Sequence, residues 1–232
     1  MYIYVNISQN EEQGLKLSIT YKLQASKMAS KLHFFLLLSV TCASLHISMA
    51  GDPDILTDFI PPPAFLGAPS GNYFTFTGMR SLVGAPFPTT FKVLKATMME
   101  FPALNGQSVS YSVLQFPNGT VNPPHTHPRA SELLFVLMGS LQVGFVDTTN
   151  KLFTQTLQEG DIFVFPKGLV HFQFNGDAKN PALALSAFGS ASPGTVKVPS
   201  AVFNSTIDDQ VLALSFKTDV GTIQKLKSGL SG

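Results

Sequence analysis

The chain has 232 residues, of which 12% are charged, and its formal net charge of +1 comes without any dense run of Lys and Arg. That balance argues against nucleic acid as a partner. With 20 Phe, 18 Gly and 16 Pro in a 44% hydrophobic sequence, strands and tight turns are favoured over long helices, and the length suits one domain with a sizeable core.

Residues 1–27 are polar, with Glu11, Glu12, Lys16 and Lys22, and read as an unstructured or non-native leader ahead of a physiological start at Met28. Lys31, an apolar run over 32–45 and then Ser48-Met49-Ala50 describe a secretory signal peptide over 28–50, cut after Ala50. A membrane anchor is the alternative, but the run falls short of the roughly 20 apolar residues that span a bilayer. No anchor is expected after cleavage. The only cysteine, Cys42, lies in this signal, so the mature chain forms no disulfide. Asn118-Gly119-Thr120 and Asn204-Ser205-Thr206 are sequons and fit an exported glycoprotein.

Residues 51–89 are rich in Pro and Gly and lack periodicity. They read as an arm wrapping the domain with some short strand pairing, anchored by Phe59, Phe65, Phe74, Phe76 and Phe87. A β domain follows over 90–200. Candidate strands cover 91–101, 108–116, 131–137, 140–147, 151–157, 161–165, 170–174 and 182–188, separated by turn residues such as Pro117-Asn118-Gly119 and Pro166-Lys167-Gly168. Many short strands at this spacing predict an all-β antiparallel sandwich or barrel. Phe135, Phe145, Phe163, Phe165, Phe172 and Phe174 are its expected lining or core. Residues 201–232 change character and are expected to hold two or more short helices, with apolar spacing pointing to 208–216 and 219–230. They pack on the barrel or meet a neighbouring subunit.

The histidines carry the chemistry. His33 and His46 lie in the N-terminal segment, and the other three fall in two glycine-bounded patterns. One runs from Gly119 through His125, His127 and Glu132 to Gly139. The other runs from Gly160 through Pro166, Gly168 and His171 to Asn175. In extended chain, residues two apart face one side, so His125 and His127 project together, and closing a barrel brings Glu132 and His171 to them. Three imidazoles and a carboxylate suit a borderline-to-hard divalent ion. An octahedral one with open positions fits Mn or non-haem Fe, and zinc is the alternative. The absence of a thiol excludes iron–sulfur and Cys-zinc sites.

These patterns resemble the paired motifs of the cupin superfamily. The stretch Asn122-Pro-Pro-His-Thr-His-Pro-Arg-Ala-Ser-Glu132, followed by Gly139-Ser-Leu-Gln-Val-Gly-Phe145, is similar to germins and germin-like proteins of plants. The resemblance extends from Asp52-Pro53-Asp54 to Leu226-Lys227-Ser228. It implies a cupin-type β-barrel or jelly roll, Mn2+ (with Fe2+ or Zn2+ as alternatives) on His125, His127, Glu132 and His171, secretion to the apoplast and cell wall, and a homohexamer clasped by the C-terminal helices. One departure is that Ile60 follows Asp58-Phe59 where germins place the first cysteine of a disulfide.

By the same resemblance, activity is superoxide dismutation or oxalate oxidation in defence, with superoxide placed first. Asn105 and Asn122 resemble the two asparagines that seat oxalate in germin. Both also fit ordinary turn and loop positions. The alternative is a non-catalytic wall glycoprotein acting in binding or structure. Arg129, next to the ligands, orders the turn or a carboxylate, or lies on the surface.

Overall fold

The computed structural model describes residues 9–44, 51–63 and 69–230, and the chain divides into two compact units, Met1–Ser48 and Met49–Gly232. In the first, one helix, α1 (Gln9–Ser44), runs through the polar leader into the apolar segment. Residues 9–27 are thus helical where the sequence suggests an unstructured leader. They are rich in the helix formers Gln, Glu, Leu and Lys, contain no Pro, and have Gly14 as their only Gly. Among the described residues no helix is long and apolar enough to cross a membrane.

The second unit is built on two five-stranded sheets. The first orders β1 (Lys92–Ala96), β2 (Ser110–Phe116), β9 (Ala182–Phe188), β4 (Glu132–Met138) and β7 (Ile162–Phe165). The second orders β10 (Val196–Lys197), β3 (Val121–Thr126), β8 (Val170–Phe174), β5 (Leu141–Val146) and β6 (Leu152–Leu157). Every pairing is antiparallel. Side chains alternate between faces. On β4, Leu134 and Val136 are buried whereas Leu133 and Leu137 are exposed. Inward residues of both sheets, including Leu114, Phe116, Leu134, Leu141 and Val143, form one core. Phe165 joins it, and Phe145 and Phe163 pack against it. Phe172 and Phe174 do not line the barrel: they alternate with buried His171 and Gln173 and so take the opposite face of β8. Phe135 likewise alternates with Leu134 and Val136.

Three further elements depart from the sequence reading. The strand expected over 91–101 stops at Ala96, because Glu100 accepts hydrogen bonds from the Thr97 N–H (2.9 Å) and hydroxyl (2.6 Å) and folds the chain into a turn. The arm forms no strand among its described residues. It is held instead by Gln107 Nε2 donating to the Asp58 carbonyl (3.1 Å), by stacking of Phe76 on Phe101, and by Asp52. Pro61, Pro62 and Pro63 have no N–H to give to a ladder. The C-terminal region, expected to hold two or more short helices, holds three, α2 (Val198–Phe203), α3 (Asp209–Phe216) and α4 (Val220–Leu230), and the boundary before them is what differs. α2 starts inside the stretch assigned to the barrel, with Pro in its first turn. Asp208 caps α3 by accepting from the N–H groups of Gln210 and Val211. Ile223 of α4 is buried with Leu212 and Ala213 of α3.

Candidate metal centre

Pro123 and Pro124 have no N–H to donate, and the β3–β8 register shifts between Asn122 and His125. This irregularity leaves His125 directly opposite His171 of β8. His127 lies just past the end of β3, and Glu132 opens β4. The structure therefore brings His125, His127, Glu132 and His171 together, each at most 5% exposed, with one ligand atom from each within 4.8 Å of all the others.

Each imidazole has one nitrogen engaged by the backbone. Nδ1 of His125 faces the Pro123 carbonyl at 2.8 Å, Nδ1 of His171 faces the Leu169 carbonyl at 2.9 Å, and Nδ1 of His127 faces the Gly194 carbonyl. A carbonyl only accepts, so Nδ1 carries the proton and Nε2 keeps its lone pair. Nε2 of His127 and of His171 each lie 3.1 Å from Oε2 of Glu132. Lone pairs so arranged repel unless a cation, a proton or a metal ion, sits among them. The group has the donor set and the spacing that a metal ion requires.

The second oxygen of Glu132 is tied elsewhere. Oε1 accepts from the Ser186 hydroxyl at 2.6 Å and from Gln173 Nε2 at 3.2 Å, and Gln173 in turn accepts from Asn122 Nδ2 at 2.7 Å. Ser186 and Gln173 were not singled out from the sequence. Their signal is polarity at inward strand positions, legible only once the register is known. Burial alone would raise Glu132, but where protons stand in for a metal ion on Nε2 of His127 and His171, their hydrogen bonds and charges hold it well below the usual carboxylate range. Burial, then the charge of His171, lowers His125 to about 4, so it stays neutral and able to ligate at mildly acid pH.

Three members of the cluster, His125, His127 and Glu132, line a cavity of about 450 Å³. Asn122 lines it. Asn105 does not: it ends a short 3-10 turn (Pro102–Leu104) and borders a separate surface cavity with Asp52, Ile55 and Ile60. The family resemblance that suggested Asn105 does not bring it to the cluster, because residues 101–107 form successive turns before β2 begins. Arg129 is not idle on the surface. Its Nε donates to the Ser192 carbonyl and its Nη2 to the Ser192 hydroxyl at 3.1 Å, holding the loop whose Gly194 carbonyl meets His127. Asn118 and Asn204 are both exposed.

Residues 88–224 match the cupin family. The chain is 59% identical over 210 residues to germin-like protein 9-3 of Oryza sativa subsp. japonica, covering 88% of this chain and 98% of that one. The chain is a germin-like cupin. This germin-like cupin is also 42% identical over 212 residues to germin-like protein subfamily 2 member 1 of Arabidopsis thaliana, covering 83% and 94% of the two chains. Among solved structures it is similar to a recombinant oxalate oxidase in complex with glycolate, with a TM-score of 0.69, 31% identity, and coverage of 78% of this chain and 98% of that one.

Proposed function

We propose that this germin-like cupin is a secreted, manganese-binding glycoprotein of the plant apoplast and cell wall that dismutes superoxide in defence. The observation that carries the reading is the convergence of three imidazoles and one carboxylate oxygen beside an open cavity that His125, His127 and Glu132 line. The 3.1 Å separations between Nε2 and Oε2 suit adjacent ligands at right angles. Donors about 2.1 Å from an ion lie about 3.0 Å apart in an octahedron and about 3.4 Å apart in a tetrahedron. Nitrogen and oxygen donors in that arrangement favour Mn2+, with Fe2+ and Zn2+ as alternatives.

The bound ion would supply a one-electron couple, by which one superoxide is oxidised to dioxygen and a second, with two protons, is reduced to hydrogen peroxide. The chain's own residues fix the imidazoles through their Nδ1 partners and pack Phe165 and Phe188 against His171 and His127. Oxalate oxidation is the second reading, supported by the likeness to oxalate oxidase and by Asn122 in the cavity. It stands behind superoxide because Asn105 is elsewhere and the Asn122 amide is engaged by Gln173. Exposed sequons support glycosylation. Exposed Leu133, Ile162 and Val164 on one sheet, and Val211, Leu214 and Phe216 on α3, support a homo-oligomer, a hexamer by family resemblance.

The test expresses residues 51–232, measures bound metal, and assays superoxide decay and oxalate-dependent peroxide release separately. Manganese-dependent superoxide decay is expected, with metal and activity both lost in His125→Ala. Full manganese in that variant overturns the site assignment, and a manganese-loaded protein inert in both assays points to the non-catalytic wall glycoprotein. N-terminal sequencing of a precursor with cleavage blocked is expected to begin at Met28; residues 1–27 in the product would refute that start.

A further inference from the structure

We propose that the cavity above the His/Glu cluster receives an organic dicarboxylate with an apolar body, its outer carboxylate held between Lys95 and Lys197. This deepens the reading of the cluster as a metal site and rests on it. Size is the first argument. About 450 Å³ falls in the range of sites for organic ligands, and a diatomic anion or oxalate leaves most of it unfilled.

The walls supply the second argument. β1 is the edge strand of one sheet and β10 the edge of the other, and each contributes one lysine to the cavity. Lys197 pairs with His125 in the β10–β3 ladder, and cross-strand partners share a face, so this cation stands beside a ligand. Lys95 pairs with Ser112, Ser112 pairs with Ser186, and Ser186 binds Glu132, giving a polar rung from the rim to the floor. The neighbouring rung is apolar, with Val93 paired to Leu114, and Phe91 extends it. A ligand lying along these rungs has an oxygen-donor head at the cluster, methylenes on Val93, Leu114 and Phe91, and an anionic end at the two lysines.

The other charges at the mouth agree with this. Glu100 lines the cavity and interacts with Lys95, but its Oε2 is engaged by Thr97. Among the described residues Lys197 has no ion-pair partner. Its charge is thus available to an incoming anion.

The test is titration calorimetry of the metal-loaded protein with oxalate, succinate and suberate. Affinity is expected to rise with chain length, since each buried methylene strengthens binding by about fourfold, leaving suberate at least about tenfold tighter than oxalate. Lys95→Gln and Lys197→Gln are each expected to weaken suberate by about fivefold while leaving oxalate within about twofold. Oxalate binding as tightly as suberate, or equal losses for both ligands in the lysine variants, overturns the proposal. Metal content is measured on the same samples. A protein without metal refutes the site reading above, whereas the lysine dependence of suberate binding decides this proposal on its own.

Discussion

Nδ1 of His127 meets the backbone carbonyl of Gly194, a residue 67 positions further along the chain. That carbonyl is aimed by its surroundings. Arg129 holds Ser192, and Asp52 of the arm accepts from the Ser190 hydroxyl at 2.5 Å and the Ala191 N–H at 2.7 Å. Gly194 has φ +70, and a Cβ there would sit 2.9 Å from the Arg129 guanidinium. Gly194→Ala and Asp52→Ala are therefore expected to weaken metal retention by about tenfold to a hundredfold while the fold persists. Competition with a chelator measures this, and wild-type retention in both variants would contradict the role given to the loop.

Ser186→Ala removes the 2.6 Å hydrogen bond to Oε1 of Glu132 and leaves Gln173 as its donor. The carboxylate is then freer to rotate and to offer both oxygens to the ion. Metal affinity is expected to fall by about tenfold, with a changed electron paramagnetic resonance spectrum of bound manganese. An unchanged spectrum and affinity would mean that Ser186 only fills space.

Acid is expected to weaken the metal-free protein in two stages. His125 titrates at about 4 in the folded chain against 6.5 in the unfolded one, so between these values the unfolded chain binds the extra proton. The His125 contribution is complete above about pH 6.5 and disappears as pH falls towards about 4. Glu132, depressed in the fold, adds stability above its ordinary value of 4.5 that is lost at lower pH. Urea midpoints across this range check both stages, and His125→Gln is expected to flatten the upper one.

Much of the site was legible because its spacing is local. The His-x-His pair, Glu132 and the glycine-bounded turns lie within short stretches, and Gly119, Gly139, Gly160 and Gly168 have positive φ, Gly139 so placed that a Cβ would lie 2.5 Å from the Pro181 carbonyl. β3 was harder to see, since Pro123-Pro124 argues against a strand that the irregular ladder tolerates. Lys197, Ser112 and Ser186 reach the site only through cross-strand register, a long-range property that a single sequence leaves open.

The arm is closed without a disulfide. Tyr73 donates its hydroxyl hydrogen to the Ile60 carbonyl at 3.1 Å, and Phe59 meets Phe74 edge-on at 5.3 Å. Phe74→Ala is expected to cost about 1 kcal/mol and lower the melting temperature by about 2–4 °C. A reducing agent should leave the melting temperature of residues 51–232 unchanged, because Cys42 is the only cysteine.

Glu132 belongs to one sheet, whereas His125 and His171 belong to the other. An ion held by all of them is a rivet through both layers of the sandwich, and the layers cannot part without surrendering it. By mass action, free metal at about a thousand times its dissociation constant adds about 4 kcal/mol against unfolding. Proteases that attack the opened sandwich would then read metal supply directly, clearing unloaded chains and sparing loaded ones.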